Sequence, residues 1–330
     1  MNEFLCSILN GINGFVGNYG WAVVVFTLLI RLVLMPFDYK SRVSMRNMTK
    51  VQPQIAAIQK KYAKDQEKMN QKLSELYRKE KINPIGGCLP MLLTLPILYA
   101  MFGAMRMVAN QNLINQVFAM LQGQEPVLES WLWIKNIWVA DSPFASVWPD
   151  HNALRMITDA SLWQNAFAAL GNGAANLPAE LGLTMESFAS GNLNGTIESI
   201  FSFLATQPAY QAMTAGIPGL TNMNLWITSI TVMQHYNGLF ILPLLAAGTQ
   251  YLMTLVQPTA PAGDAQQQST GNFMKWFFPL FSLWICSSYN AIFSIYWVTS
   301  NVIASVQNWG INKYLDAKDK KNADVEVSIK

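Results

Sequence analysis

The chain has 330 residues, 52% of them hydrophobic and 12% charged, where an ordinary soluble domain carries about 25% charged residues. That balance excludes an ordinary soluble domain and points to a polytopic membrane protein. The net charge of +3 conceals an asymmetry: residues 38–82 hold twelve Lys/Arg against five Asp/Glu, and residues 109–238 hold two against eight. The positive-inside rule puts the first stretch in the cytoplasm and the second outside.

In chain order, residues 1–17 come first. Their apolar part, FLCSILNGINGFV, is too short to span and is expected to lie along the outer surface as an amphipathic helix. No basic n-region precedes it, and five residues before Cys6 are too few for a lipoprotein signal. Residues 18–38 are the first span. The sequence is apolar from Trp21 to Phe37 except for Thr27 and Arg31, and this length of helix covers about 25 Å. Arg31 lies about 10 Å inside the end of the run, which Asp38 marks. An arginine there costs about 2.5–3.5 kcal/mol on insertion scales. It snorkels to the interface, faces water, or meets a carboxylate brought from elsewhere. The other apolar segments contain no Asp or Glu, and Arg106 and Lys275 stand near segment ends.

Residues 39–83 are polar and basic, with two helical stripes. Val51, Ile55, Ile58 and Tyr62 make one, and Met69, Leu73, Leu76 and Tyr77 the other; each is a narrow apolar line at three- and four-residue steps. A two-helix cytoplasmic hairpin with its turn near 64–67 is expected. The second span, 84–108, opens with NPIGGCLP; Pro84 suits a helix start. Pro90 and Pro96 inside the apolar run invite kinks, tolerated where neighbours or water satisfy the freed carbonyls.

Residues 109–238 form an extracytoplasmic region. It begins with the Trp-rich WLWIKNIWVADSPF, interfacial in character. An insertion at about 145–235 then shows short helical patterns broken by Gly, Asn and Pro, expected to form a small, mostly helical subdomain. The third span is 239–257, followed by a polar cytoplasmic loop, 258–272. Residues 273–312 are expected to make the fourth and fifth spans, because the apolar run 276–310 is too long for one crossing and the polar patch Ser287, Ser288, Tyr289, Asn290 divides it. A cytoplasmic tail, 313–330, carries Lys313, Lys318, Lys320 and Lys321. Five spans put the N-terminus outside and the C-terminus in the cytoplasm.

No phosphate-binding glycine loop, HExxH, nucleophile elbow or EF-hand sequence appears. His151 and His235 both fall in the outer region, and Cys6, Cys88 and Cys286 lack metal-ligand spacing and are expected as free thiols. The chain reads as no enzyme, with no cofactor.

Taken together, the arginine in the first span, the basic hairpin, NPIGGCLP opening a proline-broken second span, the outer WLWI and the IYW of the last span resemble the YidC family of membrane protein insertases. Mitochondrial oxidase-assembly factors and chloroplast thylakoid insertases are related to it. The resemblance covers about 18–144 and 236–315. It implies an all-α polytopic membrane protein in which five transmembrane helices surround a hydrophilic groove, with a cytoplasmic helical hairpin and an extracytoplasmic helical insertion, in a bacterial plasma membrane. It implies insertion and folding of integral membrane proteins without nucleotide. It makes Arg31 the groove's arginine, with Thr27 one turn before it, and matches Tyr296 and Trp297 to the family's Leu-Tyr-Trp. Thr94 stands where relatives often have glutamine, so a hydroxyl replaces an amide. The turn SSYNA departs from the usual Pro-Ala-Gly, and the motifs do not reach 145–235.

Nascent membrane proteins are the implied clients. The ribosome, a Sec-type translocon and membrane lipids are the further partners; the basic hairpin suits ribosome or nascent chain and anionic headgroups equally. A small secondary transporter is the competing class, but repeated halves and ion-coupling carboxylates do not appear in the sequence. A structural assembly factor that translocates nothing is the other alternative.

Overall fold

The computed structural model describes the backbone of residues 2–80, 89–225, 228–256 and 265–329, and the side chains of 3–80, 96–224, 229–256 and 273–321. It is mostly helical. In order come α1 (Asn2–Val16), α2 (Tyr19–Lys61), α3 (Gln66–Lys79), α4 (Leu89–Leu121), the short α5 (His151–Arg155), α6 (Ala160–Ala169), α7 (Leu193–Leu204) and α8 (Pro208–Met213). A two-stranded hairpin follows, β1 (Met223–Leu225) with β2 (Thr228–Ile230), then α9 (Ile241–Val256), α10 (Ala265–Ser288) and α11 (Ala291–Ile329). The chain forms two compact units. The first comprises Met1–Phe26, Ala100–Leu245 and Leu283–Tyr296; the second comprises Thr27–Tyr99, Ala246–Ser282 and Trp297–Lys330.

The first unit is built on a loop that caps helices. Glu129 accepts from the Tyr19 amide (2.9 Å) and from Asn18 Nδ2 (2.8 Å), placing a carboxylate at the start of α2. Asp141 does the same for α9: its carboxylate accepts from the Leu242 amide (2.6 Å), the Phe240 amide (3.2 Å) and Trp133 Nε1 (3.2 Å). The first amides of α11 end on this segment as well, Ala291 on the Val139 carbonyl (2.9 Å) and Ile292 on that of Ile137 (3.0 Å). Orphan helix N–H groups and the positive end of the helix dipole both favour such acceptors. The Trp-rich stretch expected at an interface thus also anchors two helix starts, and Glu129 just before it anchors a third. Gly238 is required here, because a Cβ would fall on the Asp141 carboxylate.

Asn237 and Asn136 lock the same loop from within. The Asn136 amide donates to Asn237 Oδ1 (2.8 Å), and Asn237 Nδ2 donates to the carbonyls of Asn136 (2.8 Å) and Ala140 (2.9 Å). Both side chains are fully buried, and every bond goes to backbone or a partner amide, as burial demands.

The insertion is helical as expected, with 3-10 turns at Gly171–Asn176, Ala179–Leu181 and Met185–Phe188. The β1–β2 hairpin, with Met223 opposite Ile230, is an addition that broken helical patterns did not announce. The insertion's aromatic core is shared with α4: Phe118 meets Trp163, Phe167 and Phe188 at centroid distances of 6.1, 6.2 and 5.8 Å. This sharing accounts for the length of α4, which runs unbroken past Met107 to Leu121. Pro96 lies inside it; Pro84 and Cys88 lie outside the described residues.

In the second unit the hairpin forms as the stripes require. Val51 and Ile55 of α2 bury Leu76 of α3, with Met48, Ile58, Leu73 and Tyr77 around them. Asp65 caps α3 by accepting from the Lys68 amide (3.1 Å), and Arg78 and Lys79 occupy its last turn. The sequence signals did not reveal that span and hairpin share one helix. α2 is continuous for 43 residues through Pro36 and Pro53, about 65 Å. The polar patch does divide the last apolar run: α10 ends at Ser288 and α11 begins at Ala291.

Among the described residues α2 is the one helix long and apolar enough to cross a membrane, and its most apolar window is only 33% buried. A core helix of a soluble protein would bury most of that window. The helix instead exposes Leu28, Leu29, Leu32 and Val33. α9 is apolar apart from Thr249, Gln250 and Thr254 but has 16 residues, about 24 Å.

Candidate functional site

Arg31 belongs to the second unit and is half-buried. Its Nη2 and Nε both donate to Ser300 Oγ of α11, at 2.6 and 3.2 Å. Its backbone carbonyl accepts from Gln307 Nε2 at 3.1 Å, two turns further along α11. Among the described residues no carboxylate lies within ion-pair distance of the guanidinium. Asp38 is two turns on along the same helix, about 10 Å in axial rise. Among the described residues the arginine therefore has a hydrogen-bond partner but no ion pair, and Asp38 acts on it only through space.

The contacts of α2 with α11 continue in register. Tyr39 meets Tyr314, centroids 6.3 Å apart. Arg46 pairs with Asp316 and, at 3.6 Å, with Asp319, and Lys50 pairs with Asp319 at 3.4 Å. Positions on both helices rise together, so the two run parallel. The tail expected after residue 313 is the end of α11, tied to the base of the hairpin.

Beside Arg31, α11 turns a line of polar groups inward. Ser300, Asn301 and Asn308 are buried. Asn301 Nδ2 donates to Gln250 Oε1 (3.1 Å) and Thr249 Oγ1 (3.4 Å) of α9. Gln307 Oε1 is buried with no hydrogen-bond partner among the described residues. At the far end, Arg42 Nη1 donates to the Val256 carbonyl (3.2 Å). Burial holds the Arg42 guanidinium below its ordinary pKa, opposed by Asp38 one turn earlier.

Of the residues singled out from sequence, Thr27 is buried one turn before Arg31, and Trp297 is one turn before Ser300; both are in the second unit. Tyr296 is buried in the first unit, its ring 6.5 Å from Phe293. The Thr94 side chain lies outside those described. Ser300, Asn301 and Gln307 were missed by sequence reasoning. Their signal was available as polar residues recurring on one side of an apolar helix, but neutral side chains in a span attract less notice than a charge does.

Fold and site together define an α-helical protein with an apolar, outward-exposed helix, in which a cation is held by neutral side chains. The model of the 60Kd inner membrane protein family matches residues 11–191 and 195–319. The chain belongs to that family, and the resemblance to YidC holds. The match also runs through most of 145–235, which the motifs did not reach. The chain is 45% identical over 106 residues to the membrane protein insertase YidC of Fusobacterium nucleatum, covering 32% of this chain and 52% of that protein. It is 46% identical over 103 residues to that of Caldanaerobacter subterraneus, covering 31% and 50%. It is 23% identical over 316 residues to that of Pseudomonas fluorescens, covering 96% and 35%. The aligned part thus spans about half or less of each of these relatives.

Proposed function

We propose that the chain is a membrane protein insertase of the bacterial plasma membrane, acting without nucleotide on nascent membrane proteins. In this reading five spans, 18–38, 84–108, 239–257 and two within 273–312, surround a hydrophilic groove. The hairpin 39–83 and the tail 313–330 face the cytoplasm, where ribosome, translocon and lipid contacts fall. Client contact is assigned to Thr27, Thr94, Tyr296 and Trp297 beside Arg31, as the family resemblance implies.

The observation that carries this is Arg31, held by the neutral Ser300 inside the apolar helix α2 with no ion pair among the described residues. A polar tail entering lipid loses the hydration of its charges and backbone. A groove lined by Ser300, Asn301 and the orphan oxygen of Gln307 supplies polar contacts along part of that path. Arg31 adds transient attraction for an acidic tail. The client's apolar span then partitions into lipid, each Leu, Ile, Phe or Val contributing about 0.3–0.6 kcal/mol.

The test is protease protection of single-span clients with acidic or neutral translocated tails, in vesicles carrying the full chain. Arg31→Ala is expected to lose the acidic client preferentially, and Arg31→Lys to retain much of it. Equal insertion of the acidic client by wild type and Arg31→Ala would overturn the electrostatic role.

A further inference from the structure

We propose that Ser300 is a positioning residue that fixes the Arg31 guanidinium for end-on capture of a client carboxylate. The inference rests on the client-binding role of Arg31 proposed above and adds to it the geometry of engagement.

A guanidinium carries five N–H donors in a rigid plane. Ser300 Oγ takes one from Nη2 at 2.6 Å and the Nε–H at 3.2 Å, so the side edge of the plane is occupied by one oxygen. Among the described residues the two hydrogens of Nη1 and the second hydrogen of Nη2 have no partner. One hydrogen of Nη1 and the second of Nη2 form the end edge of the fork, whose spacing fits the two oxygens of a carboxylate. A hydroxyl satisfies the side edge without cancelling the charge. An Asp or Glu at position 300 would satisfy the same hydrogens and neutralise the cation, removing its attraction for any client.

The backbone supports the same alignment. Gln307 Nε2 holds the Arg31 carbonyl at 3.1 Å, so α2 and α11 are tied at this level both by side chain and by main chain. Ser300 is itself 6% exposed, which keeps water from competing for its oxygen. A long side chain loses rotamer freedom when immobilised. Holding Arg31 in advance means that a client does not bear that cost on arrival.

The experiment compares Ser300→Thr with Ser300→Val, which have the same shape and differ in the hydroxyl, together with Ser300→Asp and Arg31→Ala. The readout is the ratio of acidic-tail to neutral-tail client inserted into vesicles. Ser300→Thr is expected to keep the wild-type ratio and Ser300→Val to lower it about five-fold, the value of one hydrogen bond near 1 kcal/mol. Ser300→Asp is expected to match Arg31→Ala, with no further fall when the two are combined. If Arg31→Ala lowers the ratio and Ser300→Val does not, positioning by Ser300 is wrong while the client-binding role stands. A fall shared equally by both clients, or by Thr and Val alike, assigns Ser300 to packing and overturns the proposal. An unchanged ratio in Arg31→Ala removes the underlying reading, and this inference with it.

Discussion

The two compact units differ in how the polar groups at their centres are satisfied. In the first, buried polar side chains are tied to the backbone: Asp141 holds amides at the start of α9, and Asn237 and Asn136 lock the loop between. In the second, buried polar groups form a line of side chains on α11, with Gln307 Oε1 left without a partner among the described residues. Buried polarity that is saturated fixes a conformation, whereas buried polarity with capacity to spare leaves room for a ligand. Among apolar groups, Phe118, Trp163 and Phe188 close a core in the first unit, while Leu28, Leu32 and Val33 of α2 in the second lie exposed, as Phe15 and Leu244 do in the first.

The comparison can be broken most directly at Phe118. Phe118→Ala is expected to cost about 3–5 kcal/mol, seen as a lower unfolding midpoint of the purified protein in detergent. A change below 1 kcal/mol would mean that the insertion is not cemented to α4.

Next in size is Asp141→Ala, which leaves the Leu242 and Phe240 amides without their acceptor. Phe240 sits at φ +64, a conformation that a non-glycine residue adopts at a cost and that these bonds stabilise. The expected loss is about 3 kcal/mol. A variant as stable as wild type would show that the capping loop is dispensable to the first unit.

A smaller effect sharpens the same point by pH. Burial pushes the Tyr210 hydroxyl, which donates to the Pro149 carbonyl at 3.1 Å, well above its ordinary value of 10.0, and Asp150 adds to the rise. The folded unit therefore favours neutral tyrosine. That contribution is present below pH 10 and is lost as pH rises toward the raised value. Stability measured from pH 9 to 11 is expected to fall less steeply in Tyr210→Phe than in wild type; identical slopes would contradict it.

The smallest expected change is at the tie between the hairpin and α11. The Asp316 side chain is 64% exposed and its partner Arg46 30%, so Asp316→Asn is expected to alter stability by about 0.5 kcal/mol or less. A loss above 2 kcal/mol would show that this pair is shielded from water in the working protein.

Periodicity alone marked the hairpin, because Val51, Ile55 and Leu76 need no partner beyond each other. Composition marked the break after Ser288 for a similarly local reason. Arg31 stood out because a charge in an apolar run is costly wherever it ends up. Three things had to wait for the tertiary structure. The continuity of α2 through Pro36 and Pro53 was hidden because helix and hairpin were read as separate environments, and a proline gives no sign of whether its helix bends or ends. The role of Asp141 was hidden because its partners, Phe240 and Leu242, are about a hundred residues away. Ser300 was hidden for the same reason: it is unremarkable on α11 until chain folding places it against a cation 269 positions earlier. Local chemistry determines which segments become helices and which residue is costly. Contacts between segments distant in sequence decide what holds that residue.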